Sequence, residues 1–289
     1  MKRAIISADD FGLSLEVNEA VEYAHRHGLL STASLMIAGD AAQDAITRAR
    51  RMPSLQVGLH LVVIEGSAVL PHEQISLITQ ADGWFPSSQF ALGVNYFFRT
   101  RIRQQLAREI EAQFEAFART GLRLDHANAH KHMHLHPTVG QLMITIGKKY
   151  GLNALRIPRE PPTPLFYATG VRSQSLGNAL LRQWTRLLRY QAHKAGIATN
   201  DWCFGLAWSG HMTTQRVAAL AAHLPEGVSE IYFHPATQKN TLLNRLMPTY
   251  EHHAELKALC SSEFKNGFTH SGTLLCCWQD VVHDQRHNN

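Results

Sequence analysis

The sequence predicts one α/β domain built on a parallel sheet, either a barrel or an open sheet. Three observations predict it. Short β-like runs alternate with helix-like patterns from one end of the 289-residue chain to the other. No internal repeat or low-complexity linker interrupts that alternation. Four polar clusters fall at or just beyond the C-terminal ends of strand-like runs, where the loops of parallel α/β folds converge.

The elements follow in order. "RAIISA" (3–8) reads as the first strand, and "LEVNEAVEYAHRHG" (15–28) as a helix with Val17, Ala20, Val21 and Ala24 on one face and Gly28 as its stop. "ASLMIAG" (33–39) reads as a second strand, after which Asp40 can cap the helix "AAQDAITRARRM". "LQVGLHLVV" (55–63) is the third strand-like run. The helix over 101–121 carries Leu106, Ile110, Phe114 and Phe117 on one side. "LRLDHANAH" (122–130) is extended, and Pro137 suits the first turn of a helix that ends at Gly151. "ALRIP", "SEIYFHPA" (229–236) and "GTLLCCW" complete the strands. The main interruption is "PREPPTPLF" (158–166), followed by a stripe of Leu180, Leu181, Trp184, Leu187 and Leu188 accompanied by Arg182, Arg186 and Arg189. An apolar stripe of this kind packs on a core in most proteins; the sharper alternative is a basic amphipathic lid over a lipid-like substrate or a membrane surface. The expectation is a single domain over 1–289, with an insertion or lid over 158–200.

Composition narrows the class. Hydrophobic residues at 45% and charged residues at 18% describe a globular protein. The net charge of +5 comes without a nucleic-acid motif or a run of like charges, so a generally basic surface is expected and no nucleic-acid partner. Cys203, Cys260, Cys276 and Cys277 lack zinc-type spacing and read as reduced thiols of a cytoplasmic protein, the adjacent pair suiting a strand. No apolar segment reaches the length of a membrane span, and the N-terminal apolar run is too short for a signal peptide.

The four clusters are Asp9-Asp10, His60, the array "DHANAHKHMHLHP" (125–137) and His234 in "YFHPA". Each has a plain structural reading alone: "DFG" at 10–12 has too little chain before it to be a kinase motif, and a single His60 is more often an interior hydrogen-bonded histidine. Together, one carboxylate and two imidazoles from separate strands make a divalent-metal site with room for water and substrate. The second carboxylate can then act as base, while the cation offsets the repulsion between neighbouring acids. The array's spacing does not choose its ligand, because an extended segment and a helix would present different histidines on one face.

The ordered set "SADDFGLS", "VGLHLVVIEG", "NAHKHMHLHP", "LRIPRE" and "YFHPA" resembles the YdjC-like carbohydrate deacetylases, and "GLSLEVNEAVEYAHRHGLLSTASLMIAG" resembles their hopanoid-biosynthesis-associated branch. The resemblance implies a distorted β/α (TIM-like) barrel and removal of acetyl from an N-acetylglucosamine group, on a glycosylated hopanoid lipid for that branch. It implies zinc or magnesium held by Asp10, His60 and His130, with Asp9 as general base. His234, His132 or His134 would protonate the leaving amine. Arg156 would orient Asp9 or contact the sugar, a surface role being the alternative, and Trp184 would contact substrate if its helix is a lid. Asn128-Ala129 stand where the family pattern has Asp-Ser, and Lys131 where some relatives have another histidine. A homodimer and peripheral contact with the inner membrane complete what the resemblance implies. The other classes to be weighed are a sugar-phosphate or glycosidic hydrolase and a non-catalytic carbohydrate-binding protein.

Overall fold

The longest strand, β1 (Lys2–Phe11), lies in the middle of a parallel sheet in the computed structural model, which describes residues 1–169 and 177–287. The other strands are β2 (Thr32–Leu35), β3 (Gln56–Leu61), β4 (Ala127–Ala129), β5 (Ala154–Leu155), β6 (Ala198–Thr199), β7 (Trp202–Phe204), β8 (Gly227–Phe233) and β9 (Leu274–Leu275). Their spatial order is β6-β5-β4-β3-β2-β1-β8-β7, with β9 beside the N-terminal part of β1. Followed around a circle, that is chain order with one break. No ladder joins β6 to β7 among the described residues, so the sheet is a curled barrel wall with a seam.

Two side chains bridge the neighbourhood of the seam. Asn200 accepts from the Ile157 N–H (2.7 Å) and donates to the carbonyls of Ile157 (2.9 Å) and Trp202 (2.7 Å). Asp201 accepts from the Val228 N–H at 2.9 Å, while its own N–H donates to the Val228 carbonyl. Buried backbone groups that lack a strand partner are satisfied in this way.

The helices form where apolar periodicity and caps require. Ser14 accepts from the Val17 N–H to start helix Leu15–His27, which buries Val17, Ala20, Val21 and Ala24 and ends at Gly28. Helix Thr100–Arg119 buries Leu106, Ile110, Phe114 and Phe117. Pro137 occupies the first turn of helix Pro137–Lys149. Helix Gly177–Lys194 packs on that helix and buries Leu188, while Leu187 stays exposed; the side chains of Leu180 and Leu181 lie outside the described residues.

Several boundaries differ from the sequence expectation. Asp40 caps nothing: helix Ala42–Arg50 starts from Ala41 with no side-chain cap. The run 122–130 is extended with a ladder only at Ala127–Ala129. His130–Leu135 then forms a 3₁₀ stretch with Lys131 and His132 left-handed, which is neither of the two conformations the spacing suggested. Cys276 and Cys277 lie past the short, exposed β9, because the Cys277 N–H turns to the Asp280 carboxylate at the start of helix Trp278–His287. All four cysteines are free thiols. No described helix is long and apolar enough to cross a membrane.

Candidate active site

In β1 the alternation of a strand sends Ser7 and Asp9 to one face. The register then slips between Ala8 and Phe11, and Asp10 adopts φ 63°. That left-handed turn brings a second, adjacent carboxylate to the same end of the barrel. Gly12 (φ 94°) completes the turn; a side chain there would press on Leu35 and the Met36 carbonyl at 3.0 Å. Asn18 pins the loop, accepting from the Gly12 N–H and donating to the Ala41 carbonyl.

Asp10, His60 and His130 form a nearly equilateral triangle of ligand atoms. Asp10 Oδ1 lies 3.2 Å from His60 Nε2 and 3.2 Å from His130 Nδ1, and the two nitrogens are 3.3 Å apart. A tetrahedral cation with bonds of about 2.0–2.1 Å needs ligands about 3.3–3.4 Å apart. His60 Nδ1 donates to Asn128 Oδ1 at 2.7 Å, which leaves Nε2 with its lone pair toward the triangle. Asp10 Oδ2 is buried without a hydrogen-bond partner. These residues fit a divalent metal. Burial raises the Asp10 carboxyl, but His130 and His60 outweigh it and hold it well below the usual carboxylate range. Burial lowers His60, yet Asp9 and Asp10 leave its affinity for a proton raised. A cation at the centre would replace that proton.

Asp9 stands beside the triangle, held from behind. Arg156 Nη1 donates to Asp9 Oδ2 at 2.5 Å and Nη2 to Oδ1 at 2.9 Å, while Asn128 Nδ2 donates to Oδ1 at 3.1 Å. The same guanidinium reaches Glu230 through Nε (2.8 Å) and Nη2 (2.7 Å) and lies over the Tyr232 ring at 4.6 Å. Arg156 is fully enclosed, which rules out a surface role. Burial raises the Asp9 carboxyl, but Arg156 and then His60 outweigh it and hold it well below the usual carboxylate range.

The remaining histidines divide by their partners. His134 Nε2 donates to the Arg156 carbonyl at 3.0 Å, and burial together with Arg156 lowers its pKa to about 3. His132 Nε2 meets the Tyr232 hydroxyl at 3.0 Å, and burial with Arg156 holds its pKa well below the usual range. His234 is half-buried between Tyr232 and Tyr250, and its buried Nδ1 has no partner. Burial lowers it to about 4, against the pull of Asp10 and Asp9. Its backbone is clamped from both sides: the N–H donates to Glu255 and the carbonyl accepts from His252. Trp184 stands apart from this cluster, edge-on to His136 at 6.3 Å.

Two acids that sequence reasoning missed, Glu65 and Glu230, complete the site. Glu65, Lys131 and His132 share the left-handed backbone of Asp10, so the four positive-φ non-glycine residues among those described all lie at strand ends or loops of this one face. Lys131 pairs with Glu65, tying the loop after β4 to the loop after β3. Glu230 was readable in part, because Glu230, Tyr232 and His234 alternate along "EIYFH" and so share a face. A shallow cleft lined by Leu13, Met36, Val62, Trp84 and Leu242 adjoins the loops after β1, β2 and β3, with Arg245 stacked over Trp84.

Known proteins are similar to this chain in sequence or in fold. A carbohydrate deacetylase from Brevibacillus brevis is 26% identical over 264 residues, covering 91% of this chain and 93% of that protein. A chitooligosaccharide deacetylase from an Enterobacter species is 30% identical over 162 residues, or 55% of this chain and 60% of its own length. A carbohydrate deacetylase from Vibrio cholerae is 33% identical, the match spanning about half of each chain (51% and 56%). Among solved structures, a candidate cellobiose-phosphate cleavage protein from Enterococcus faecalis superposes with a TM-score of 0.74 at 22% identity, covering 97% of this chain and 98% of the other, which shows the shared fold. The sequence profile described as YdjC-like protein matches residues 3–269, nearly the whole of the barrel, and the chain belongs to that family.

Proposed function

We propose that the chain is a metal-dependent carbohydrate N-deacetylase. The observation that carries this is an ionised, Arg156-held Asp9 beside a three-ligand triangle of the size a tetrahedral zinc ion requires. A carbohydrate deacetylase that matches 91% of the chain supports the substrate class. The reaction adds water to the acetamide carbonyl, breaks the C–N bond, and releases acetate and a free amine.

A bound zinc ion would polarise the carbonyl and acidify the attacking water. Asp9 accepts the water proton, and Arg156 holds its carboxylate toward that water. His134 and Tyr232 hold Arg156 from its carbonyl and its face. All three candidate acids keep an unpartnered Nδ1, but His132 and His134 engage the Tyr232 hydroxyl and the Arg156 carbonyl through Nε2. The His234 ring has no such bond and feels both Asp10 and Asp9, so it delivers the proton to the leaving amine. Resting neutral because burial outweighs the pull of Asp10 and Asp9, it passes to the amine, as the C–N bond breaks, the proton that Asp9 took from the water.

The finer reading is an amino sugar carried on a hopanoid-type lipid, met at a membrane surface by a homodimer. The membrane part of this reading is supported by helix Gln89–Phe98, which exposes Phe90 (84%), Val94, Phe97 and Phe98 (73%) and is followed by exposed Arg99, Arg101 and Arg103. The helix sits at the rim of the site: Gln89 donates to the Lys131 carbonyl and Tyr96 to the Val63 carbonyl.

The test is mass spectrometry of N-acetylglucosaminyl lipids and chitooligosaccharides incubated with zinc-loaded protein, looking for loss of one acetyl group. Asp9→Asn is expected to lower the rate at least 100-fold with zinc content kept, and Asp10→Asn to lose the zinc. Release of phosphate or free sugar instead of acetate would overturn the proposal.

A further inference from the structure

Behind the triangle, a line of buried polar groups runs through the barrel interior. Asp125 Oδ2 lies 3.1 Å from His126 Nδ1, and His126 Nε2 lies 3.1 Å from Ser34 Oγ. Ser34 Oγ accepts from Asn128 Nδ2 at 2.9 Å, and Asn128 in turn holds both Asp9 and His60. Every member is at most 2% exposed. The polarity of each bond is forced. Asp9 is a carboxylate that can only accept, so Asn128 must face it with its NH₂ group. The Asn128 oxygen is thereby turned to His60, whose Nδ1 must carry the proton. The second NH₂ proton goes to Ser34, so the Ser34 hydroxyl must donate onward to His126 Nε2. His126 must then bear its own proton on Nδ1, which faces Asp125. Turning a His126 Nε2–H toward Ser34 instead would leave the Ser34 hydroxyl proton without an acceptor and either set a bare Nδ1 against the Asp125 carboxylate or require a buried imidazolium.

We propose that Asp125, His126 and Ser34 are positioning residues, a one-way hydrogen-bond chain that locks the Asn128 amide and through it the Nδ1–H tautomer of the ligand His60. The packing supports a built feature. Gly58, register partner of Ser34, leaves the space that His126 fills, since a Cβ there would lie 2.4 Å from the imidazole. Trp278 stacks on the other face of His126 (5.5 Å between centroids, 15° between planes), and Gln279 donates to the second Asp125 oxygen at 3.1 Å. A carboxylate at position 128 would oppose Asp9, whereas the amide joins Asp9 to His60.

Two measurements test the chain. In ¹⁵N-histidine-labelled protein, long-range ¹H–¹⁵N spectra are expected to show His126 as a neutral Nδ1–H tautomer, and His60 as Nδ1–H in the zinc-loaded state. An Nε2–H tautomer or an imidazolium at His126 would overturn the proposal. The second is calorimetric zinc titration of Ser34→Ala against Thr32→Val. Thr32 is equally buried on the same strand and its hydroxyl bonds nothing, so both variants lose one interior hydroxyl. Ser34→Ala is expected to weaken zinc at least 10-fold and Thr32→Val to leave it unchanged. Equal affinity in the two variants sinks the positioning role. The zinc readout rests on the metal reading proposed above, whereas the His126 tautomer does not. If the unsubstituted protein fails to take zinc, that reading falls and the tautomer alone decides the chain.

Discussion

In a regular strand, residues 9 and 10 would face opposite sides of the sheet. The left-handed Asp10 removes that constraint, and the two acids take different partners: imidazoles for Asp10, a guanidinium for Asp9. Their mutual repulsion is answered residue by residue. At the same scale, Gly58→Ala places a methyl 2.4 Å from the His126 ring and 2.5 Å from its carbonyl oxygen. Neither can retreat, with Trp278 stacked behind. The variant is expected to lose about 3 kcal/mol or more in urea unfolding. Asp9, Asp10, His60, His130 and His234 were legible in the sequence because each is a chemically distinctive residue at the end of a strand-like run. Glu65 and Ser34 were not, since their importance lies in a backbone angle and a hydrogen-bond direction that spacing does not encode.

Among the elements, helix Gln89–Phe98 has the least ordinary surface. Four large apolar side chains face outward at the rim of the site, and from Ser87 to Arg108 the chain carries four arginines and no acid. A C2 dimer through this face would set the arginines against their own copies. An anionic bilayer complements both properties. Phe90→Ser with Phe98→Ser is expected to weaken sedimentation with phosphatidylglycerol vesicles at least 10-fold while leaving turnover of a soluble oligosaccharide within twofold. Unchanged sedimentation would remove the membrane from the functional reading. The sequence stripe at 180–188 pointed to a different helix. Of its described members, Leu188 is buried and Trp184 meets His136, as in a packed helix, while Leu187 stays exposed. Trp184→Ala separates a lid from packing: a lid predicts a raised KM for lipid-linked substrate alone. The exposed helix escaped notice because "QFALGVNYFF" is apolar nearly all round, a pattern that ordinarily signals burial.

At the scale of the whole molecule, the barrel interior is polar where a parallel barrel usually packs branched aliphatics. Ser7, Ser34, Asn128, Arg156 and Glu230 are all fully buried. Such an interior makes stability depend on pH. His134 is buried neutral, with its folded pKa lowered from 6.5 to about 3. Its contribution is therefore complete above pH 6.5 and is lost as the pH falls below it. His134→Gln, which can still donate to the Arg156 carbonyl, is expected to be less stable than the parent at pH 7.5. The gap should close by about 2 kcal/mol at pH 5, as only the parent is penalised. Parallel urea titrations at the two pH values read the difference, and a constant gap would show that the imidazole is not held neutral. The α/β class and most helices were legible from alternation and periodicity. The strand lengths were not, because β4, β5 and β6 are two or three residues long and owe their place to neighbours remote in sequence.

The seam between β6 and β7 has a consequence of its own. A closed ring of strands resists being widened, since every ladder must stretch together. This ring is interrupted where its edge strands follow one another in the chain, and Asn200 and Asp201 carry the bonds that backbone would otherwise make. Side chains can re-form such bonds after small shifts that a ladder could not survive. Any widening of the wall is therefore expected along this line near Arg156 rather than among the strands that hold Asp10, His60 and His130.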